Sequence, residues 1–313
     1  MKLLGPFLKL VRYPNLIYIF LTQYLIQYCI IIPVFHKYGV SPTLSNGWFF
    51  LLSLSTVLIA AAGYIINDYF DINIDQVNKP KRIIIDRLIS RRWAILWHTT
   101  FNITGVALGF LIGWKIGNLL LGVTQLFCSG LLWFYSTSYK RQLLVGNISV
   151  SLLTALTVLI VGFFEPQLYL KINTVNAPAV YHLLRIILLY ALFAFLISMI
   201  REVVKDLEDI KGDAWLGCRT MPIVYGVNAS KDVSYILSWL LVGLIVFVQV
   251  IIFPHGWYFT IAYLLVLVQL PLIAVIKKLR KAVSPIDFHH ISNLIKLIML
   301  TGIISMIFFI FYF

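Results

Sequence analysis

The 313-residue chain is 61% apolar and 12% charged, against about 45–50% and about 25% for a soluble domain. This excludes an ordinary soluble enzyme or a disordered chain and leaves an integral membrane protein, with room for about eight to ten spans of about 20 residues and no large soluble domain. The formal charge of +13, from 25 Lys plus Arg against 12 Asp plus Glu, admits nucleic acid, a membrane surface or an anionic substrate as partner.

Nine continuous apolar runs follow one another, over 15–35, 47–66, 93–113, 117–135, 148–166, 181–200, 234–253, 257–276 and 296–313. Unbroken runs predict helices, whereas a membrane barrel needs alternating strands. The expected fold class is therefore all-α: a polytopic membrane protein of nine transmembrane helices forming one domain over 1–313. The first run is too long for a signal-peptide core and reads as a retained anchor. All basic residues except Lys37, Lys115, Lys171 and Arg185 fall at the N-terminus or in the connections after the second, fourth, sixth and eighth runs. By the positive-inside rule this puts the N-terminus, and any chemistry, on the cytoplasmic side of the cell membrane. Basic residues dispersed over separate connections argue against nucleic acid, and no protein partner is expected. Cys29, Cys128 and Cys218 are scattered and odd in number, with neither disulfide nor metal-site spacing.

Polarity concentrates in two connections. NDYFDINIDQVNKPKR, after the second run, sets Asp68, Asp71 and Asp75 at i, i+3 and i+7; REVVKDLEDIKGD, after the sixth, sets Asp206, Asp209 and Asp213 at the same offsets. On a helix these offsets fall within an arc of about 60°, so each set is expected to line one face. Carboxylates crowded on one face repel, and binding cations relieves this. Oxygen ligands without His or Cys favour a hard ion, Mg²⁺, which takes one or two carboxylates and completes its shell with water and phosphate. Two facing stripes would cage a diphosphate, and their repetition four spans apart suggests a pseudo-symmetric bundle.

Among the cations, Arg82, Lys140, Arg141, Arg201 and Lys205 fall beside the carboxylates and are candidates to neutralise phosphate oxygens. The run Lys277, Lys278, Arg280 and Lys281 has no acidic neighbour and suits topology and anionic lipid. Tyr135 shares a loop end with Lys140, and Asn15 is polar near the start of a span, both expected at a cavity. Glu165-Pro166 reads as a helix end, and His289-His290 is given no role. A transporter would place ionisable groups mid-span, whereas these spans are nearly free of acids. A CDP-alcohol phosphotransferase would need a DG dipeptide and an AR pair that the acidic motifs lack.

At these residues the chain resembles the UbiA superfamily of intramembrane prenyltransferases, which have nine helices and two Asp-rich motifs. Asn67, Asp68, Asp71 and Asp75 are similar to its NDxxDxxxD motif, and Asp206, Asp209 and Asp213 to its DxxDxxxD motif. Arg12 and Asn15, YSTSYKR with Tyr135 and Lys140, and Gly146-Asn147 extend the resemblance. The second motif with TMPIVYG looks most like the branch that adds a second prenyl ether to a glycerol phosphate, making digeranylgeranylglyceryl phosphate. One departure stands out: family members commonly carry a segment like RPIPSGRIS where this chain has RIIIDRLIS, so Ile83, Ile85, Asp86 and Arg87 bear on acceptor or chain-length preference.

The resemblance implies Mg²⁺-dependent transfer of a prenyl group from an allylic prenyl diphosphate to a lipophilic acceptor in the membrane, a prenylglycerol phosphate or alternatively an aromatic ring. The six aspartates would carry metal and catalysis together with Lys140. Arg12, Asn15, Asn67, Arg82, Tyr135, Arg141 and Lys205 would contact substrate, with Arg12 and Arg141 as candidates for an acceptor phosphate. Apolar and aromatic walls would shield the allylic cation from water.

Overall fold

The computed structural model describes residues 4–78, 83–170 and 177–313. Among these residues nine helices are long and apolar enough to cross a bilayer, as expected. They are α1 Tyr13–Lys37, α2 Asn46–Phe70, α3 Arg91–Ile116, α4 Leu120–Thr137, α5 Val145–Phe163, α6 Ala177–Trp215, α7 Gly226–His255, α8 Tyr258–Lys281 and α9 Pro285–Phe311. The described residues contain no strand; a lone bridge between Ile85 and Ile89 closes the turn that follows the first acidic motif.

Several helices extend beyond the apolar runs, and three of the differences have a local reason. Helix α9 begins well before its apolar run because Ser284 and Asp287 cap it reciprocally and Pro285 occupies its first turn, where a missing N–H costs nothing. Lys296, expected in a connection, consequently lies about three turns along α9. Helix α6 continues for 39 residues, so the second acidic motif sits on unbroken helix rather than in a loop. The first motif is not on one helix: α2 ends at Phe70, Asp71 is its C-cap at φ −88° and ψ 0°, and a separate helix Ile72–Asn78 carries Asp75. Asn67 donates from Nδ2 to Asp71 Oδ2 at 2.7 Å; short polar side chains that bond locally in this way compete with helix continuation. Only the second triad therefore lines a continuous face.

The apolar packing divides into three clusters. At the end remote from the acids, Ile30 and Phe35 of α1 meet Leu52 of α2, Val158 of α5 and Leu183 of α6. Ile200 and Val204 of α6 pack with Leu272 of α8 and Ile295 of α9. A smaller group, Leu10, Val11, Ile65, Ile85 and Ala94, supports the first acidic motif. Helices α3 and α4 approach almost backbone to backbone, since a Cβ on Gly122 would stand 2.4 Å from the Phe110 ring and 2.8 Å from its Cα. Small residues permit such contact where lipid supplies no hydrophobic drive between helices.

Just beyond α5, Glu165 ends the helix as expected and is almost fully buried. Its Oε2 accepts from the Thr43 N–H at 2.9 Å and its Oε1 from the Thr43 hydroxyl, tying the α1–α2 connection to the end of α5. Burial pushes this carboxyl above its ordinary range, only partly opposed by the Thr43 hydrogen bonds.

Candidate active site

The ends of α2 and α6 and the turn after α4 meet the starts of α1, α5 and α9 at one end of the bundle, as cross-links between them show. Arg12 donates to Asp68 Oδ1 at 2.7 Å, Lys140 is ion-paired with Asp71, Asn147 Nδ2 donates to Asp206 Oδ2 at 2.8 Å, and His289 lies 3.0 Å from Glu208. Each contact joins segments distant in sequence. Together they bring both acidic motifs onto one cavity of about 820 Å³, lined by Asp68 of α2 and its C-cap Asp71 and by Asp206, Asp209 and Asp213 from α6.

Local structure sets the basic groups. Lys140 sits in a short 3₁₀ turn, Tyr139–Arg141, pressed against the start of α5. A Cβ on Gly146 would stand 2.8 Å from Lys140 Cα and 3.0 Å from the Tyr139 carbonyl, so glycine here lets the lysine-bearing turn reach the acids. Arg12 precedes α1 in a left-handed conformation, φ 50° and ψ 53°, uncommon for a residue with a side chain. This aims its guanidinium at Asp68 and over the Tyr64 ring, 5.1 Å from the centroid. Burial opposes the guanidinium charge, but Asp68, Tyr64 and Asp71 together outweigh it and leave it more firmly protonated than in water.

Of the expected residues, Arg12, Asn15, Asn67, Tyr135, Lys140 and Lys205 join the five aspartates at the cavity wall. Arg141 does not: its side chain is exposed, and its carbonyl accepts from the Arg219 N–H at 2.8 Å. Arg82 and the Asp75 side chain lie outside the described residues. Ile83 of the unusual RIIIDRLIS stretch lines the cavity beside Ile84, Ile85 is buried in the adjoining core, and Asp86 pairs with Arg91. The structure adds Lys9, Tyr18, Tyr64, Glu202 and Lys296 to the wall. Their signals, an isolated lysine in an apolar run or one acid beside an acidic motif, have no spacing to announce them. His289, given no role, has a structural one in its contact with Glu208.

Beyond the charged mouth the lining becomes apolar, with Ile59, Leu132, Val150, Leu153, Met299 and Ile303. Thr56 and Gln125 also face this interior. Cys218 lies beside the second motif, where burial, reinforced by the negative Asp213, pushes its thiol up. It contributes a small neutral wall there, not a nucleophile. A charged ring over an apolar chamber suits a substrate with a polyanionic head and a hydrocarbon tail.

The fold and site define a membrane-embedded enzyme that handles such amphiphiles, and comparison with known proteins specifies the class. The profile of the UbiA prenyltransferase family matches residues 30–294: the chain belongs to this family and is a prenyltransferase. It is similar to digeranylgeranylglyceryl phosphate synthase of Methanosphaera stadtmanae, 26% identical over 96% of this chain and 98% of that one. The Sulfolobus acidocaldarius protein of the same name is 31% identical over 79% and 83% of the two chains. Among solved structures, a digeranylgeranylglyceryl phosphate synthase superposes with a TM-score of 0.64 at 23% identity, covering 98% and 99% of the chains. A UbiA homologue from Archaeoglobus fulgidus bound to DMAPP and Mg²⁺ gives 0.56 at 19% identity, over 96% and 98%. These two likenesses establish the shared fold.

Proposed function

We propose that the protein transfers a prenyl group from an allylic prenyl diphosphate to the free hydroxyl of a prenylglycerol phosphate, with Mg²⁺, at a site facing the cytoplasm across the cell membrane. The observation that carries this reading is the convergence of both acidic motifs, Lys140 and Arg12 at the mouth of an apolar cavity. Similarity to synthases of digeranylgeranylglyceryl phosphate along nearly the whole chain supports the acceptor.

The donor set fits Mg²⁺. All the candidate ligands are oxygens, and Asn67 Oδ1 is buried at the first motif without a hydrogen-bond partner among the described residues. Among the described residues no three acidic, His or Cys side chains converge closely enough to hold an ion unaided. Asp68, Asp71, Asp206, Asp209 and Asp213 would hold Mg²⁺, with Asp75 following in the same motif. When bound, Mg²⁺ supplies Lewis-acid charge to the departing diphosphate.

The chain's own groups do the rest. Lys140 and Arg12, held in place by Asp71 and Asp68, present N–H donors where negative charge grows on the leaving oxygens, an electrostatic stabilisation of the transition state. Asn147 holds one oxygen of Asp206 and so orients the other. Tyr135, partly buried, lines the same cavity as Lys140. The apolar chamber accommodates the prenyl chain and keeps water from the allylic cation until the acceptor hydroxyl attacks C1. The hydroxyl proton leaves with the diphosphate or bulk water.

The test is a radiolabelled-transfer assay of detergent-purified protein with geranylgeranyl diphosphate and Mg²⁺. Acceptors would be geranylgeranylglycerol phosphate and an aromatic carboxylate of quinone-precursor type. Transfer to the glycerol phosphate, abolished by EDTA and reduced at least about 100-fold in Asp68→Ala, is expected. Activity that survives both treatments sinks the mechanism, and transfer to the aromatic acceptor alone sinks the acceptor.

A further inference from the structure

Two anionic substrates must occupy one cavity at the same time, and the acidic wall is not its only charged wall. At about 100° per residue along α6, Arg201 and Lys205 share one face. Glu202, Asp206, Asp209 and Asp213 share another, turned from it by about a quarter circle. The basic face looks toward α9, which packs on α6 and touches the start of α1. From α9, Lys296 donates to Asn15 Oδ1 at 2.7 Å and stands 5.3 Å from the centroid of the Tyr18 ring. Its charged neighbours are Arg201, Lys205 and Arg12, and all four cations line the cavity. Glu202 is the acid among them, accepting from Arg201 Nη1 at 3.0 Å and Lys205 Nζ at 3.3 Å.

Lys296 is the anomaly. It lies about three turns inside a spanning helix, where an ammonium is costly and marks function by default. A lysine with only a topological role snorkels to the interface; this one turns into the cavity and bonds a neutral amide. Among the described residues no carboxylate stands within ion-pair distance of it, as one does for Arg12, Lys140 and Arg201. Asn15 uses one of its three N–H donors, leaving two for a ligand. Nearby, Arg201 Nε is buried with no hydrogen-bond partner among the described residues. Donors without acceptors, gathered on one wall, describe an anion subsite.

We infer that Lys296 and Arg201, with Asn15 as positioning residue, hold the phosphate monoester of the acceptor, apart from the donor diphosphate at the acidic motifs and Lys140. This rests on the reading that the acceptor is a glycerol phosphate ether. Separation follows from charge: the two phosphate groups repel, and distinct cationic walls let both substrates bind with the acceptor hydroxyl turned toward the donor. Glu202 fixes Arg201 and Lys205 while leaving the wall a net positive charge.

The experiment varies both substrates in steady state for Lys296→Gln and Lys296→Arg, using the phosphorylated acceptor and its dephosphorylated alcohol. Lys296→Gln is expected to raise the acceptor KM about 10- to 100-fold, as loss of a charged hydrogen bond does. Donor KM should stay unchanged, the preference for phosphorylated acceptor over alcohol should vanish, and Lys296→Arg should restore most of it. A Gln variant with the wild-type acceptor KM, or one whose donor KM rises by the same factor, overturns the subsite. Wild-type enzyme that uses no phosphorylated acceptor overturns the acceptor reading instead. The subsite then stands or falls on calorimetric titration with glycerol 1-phosphate: binding to wild type but not to Lys296→Gln upholds it, and no binding to wild type overturns it.

Discussion

Asn147 has no charge and no catalytic chemistry of its own, yet it spans two helices to hold Asp206 at 2.8 Å. On the proposed reading Asp206 holds Mg²⁺, and loss of a partner that orients a ligating carboxylate costs about 10- to 100-fold in metal affinity or activity. Replacing Asn147 with Leu is expected to raise the Mg²⁺ concentration for half-maximal transfer by that order while leaving the melting temperature nearly unchanged; a metal titration of activity beside a thermal melt checks both. Residues differ in how far the sequence shows them. The aspartates are legible because local spacing repeats, and Lys140 because it falls beside them in a YSTSYKR segment similar to the family's. Arg12 pairs with a residue 56 positions away, and Lys296 with one 281 positions away. No local pattern encodes such pairings, so Lys296 reads as one more cation in a connection. Arg141, adjacent to Lys140, shows the converse: its neighbour lines the cavity, whereas its own side chain is exposed and outside the lining.

The two acidic motifs share a spacing without sharing an element. The second is a stripe on rigid helix; the first bends at Asp71, whose side chain is engaged by Asn67 and Lys140. Equal offsets in sequence therefore do not make equal geometry, and the break is invisible to periodicity because polar side chains bonding locally, rather than a Gly or Pro, stop the helix. Packing between α3 and α4 carries a prediction at this scale. Gly122→Ala places a methyl group against backbone as well as ring atoms of Phe110, which neither helix can yield cheaply. A loss of about 1–3 kcal/mol is expected, read as a lower melting temperature in detergent, with prenyl transfer per folded molecule retained because the contact is away from the cavity. An unchanged melting temperature would show that the helices separate freely here.

At the scale of the whole molecule, the nine spans found among the described residues are legible from composition and run length alone, since hydrocarbon imposes them directly; their true ends are set by caps and by long-range bonds. One such bond acts at the end remote from the site. The Glu165 carboxyl is raised by burial, so the folded protein holds its proton to higher pH than the unfolded chain does. Its contribution is therefore greatest below the ordinary carboxylate range and is lost as pH rises through the folded value. Glu165→Gln should flatten that decline in a series of thermal melts, and a wild-type melting temperature that rises over the same interval would contradict it.

Helix α6 has 39 residues and so extends about 58 Å, nearly twice the roughly 30 Å of a hydrocarbon core. On the proposed reaction this length makes the enzyme a device at a phase boundary. The hydrophilic leaving group escapes into water along the acid-bearing turns, and the doubly prenylated lipid slides away within its own leaflet. Turnover thus requires no headgroup to cross the bilayer, and the two products part because each dissolves in a different solvent.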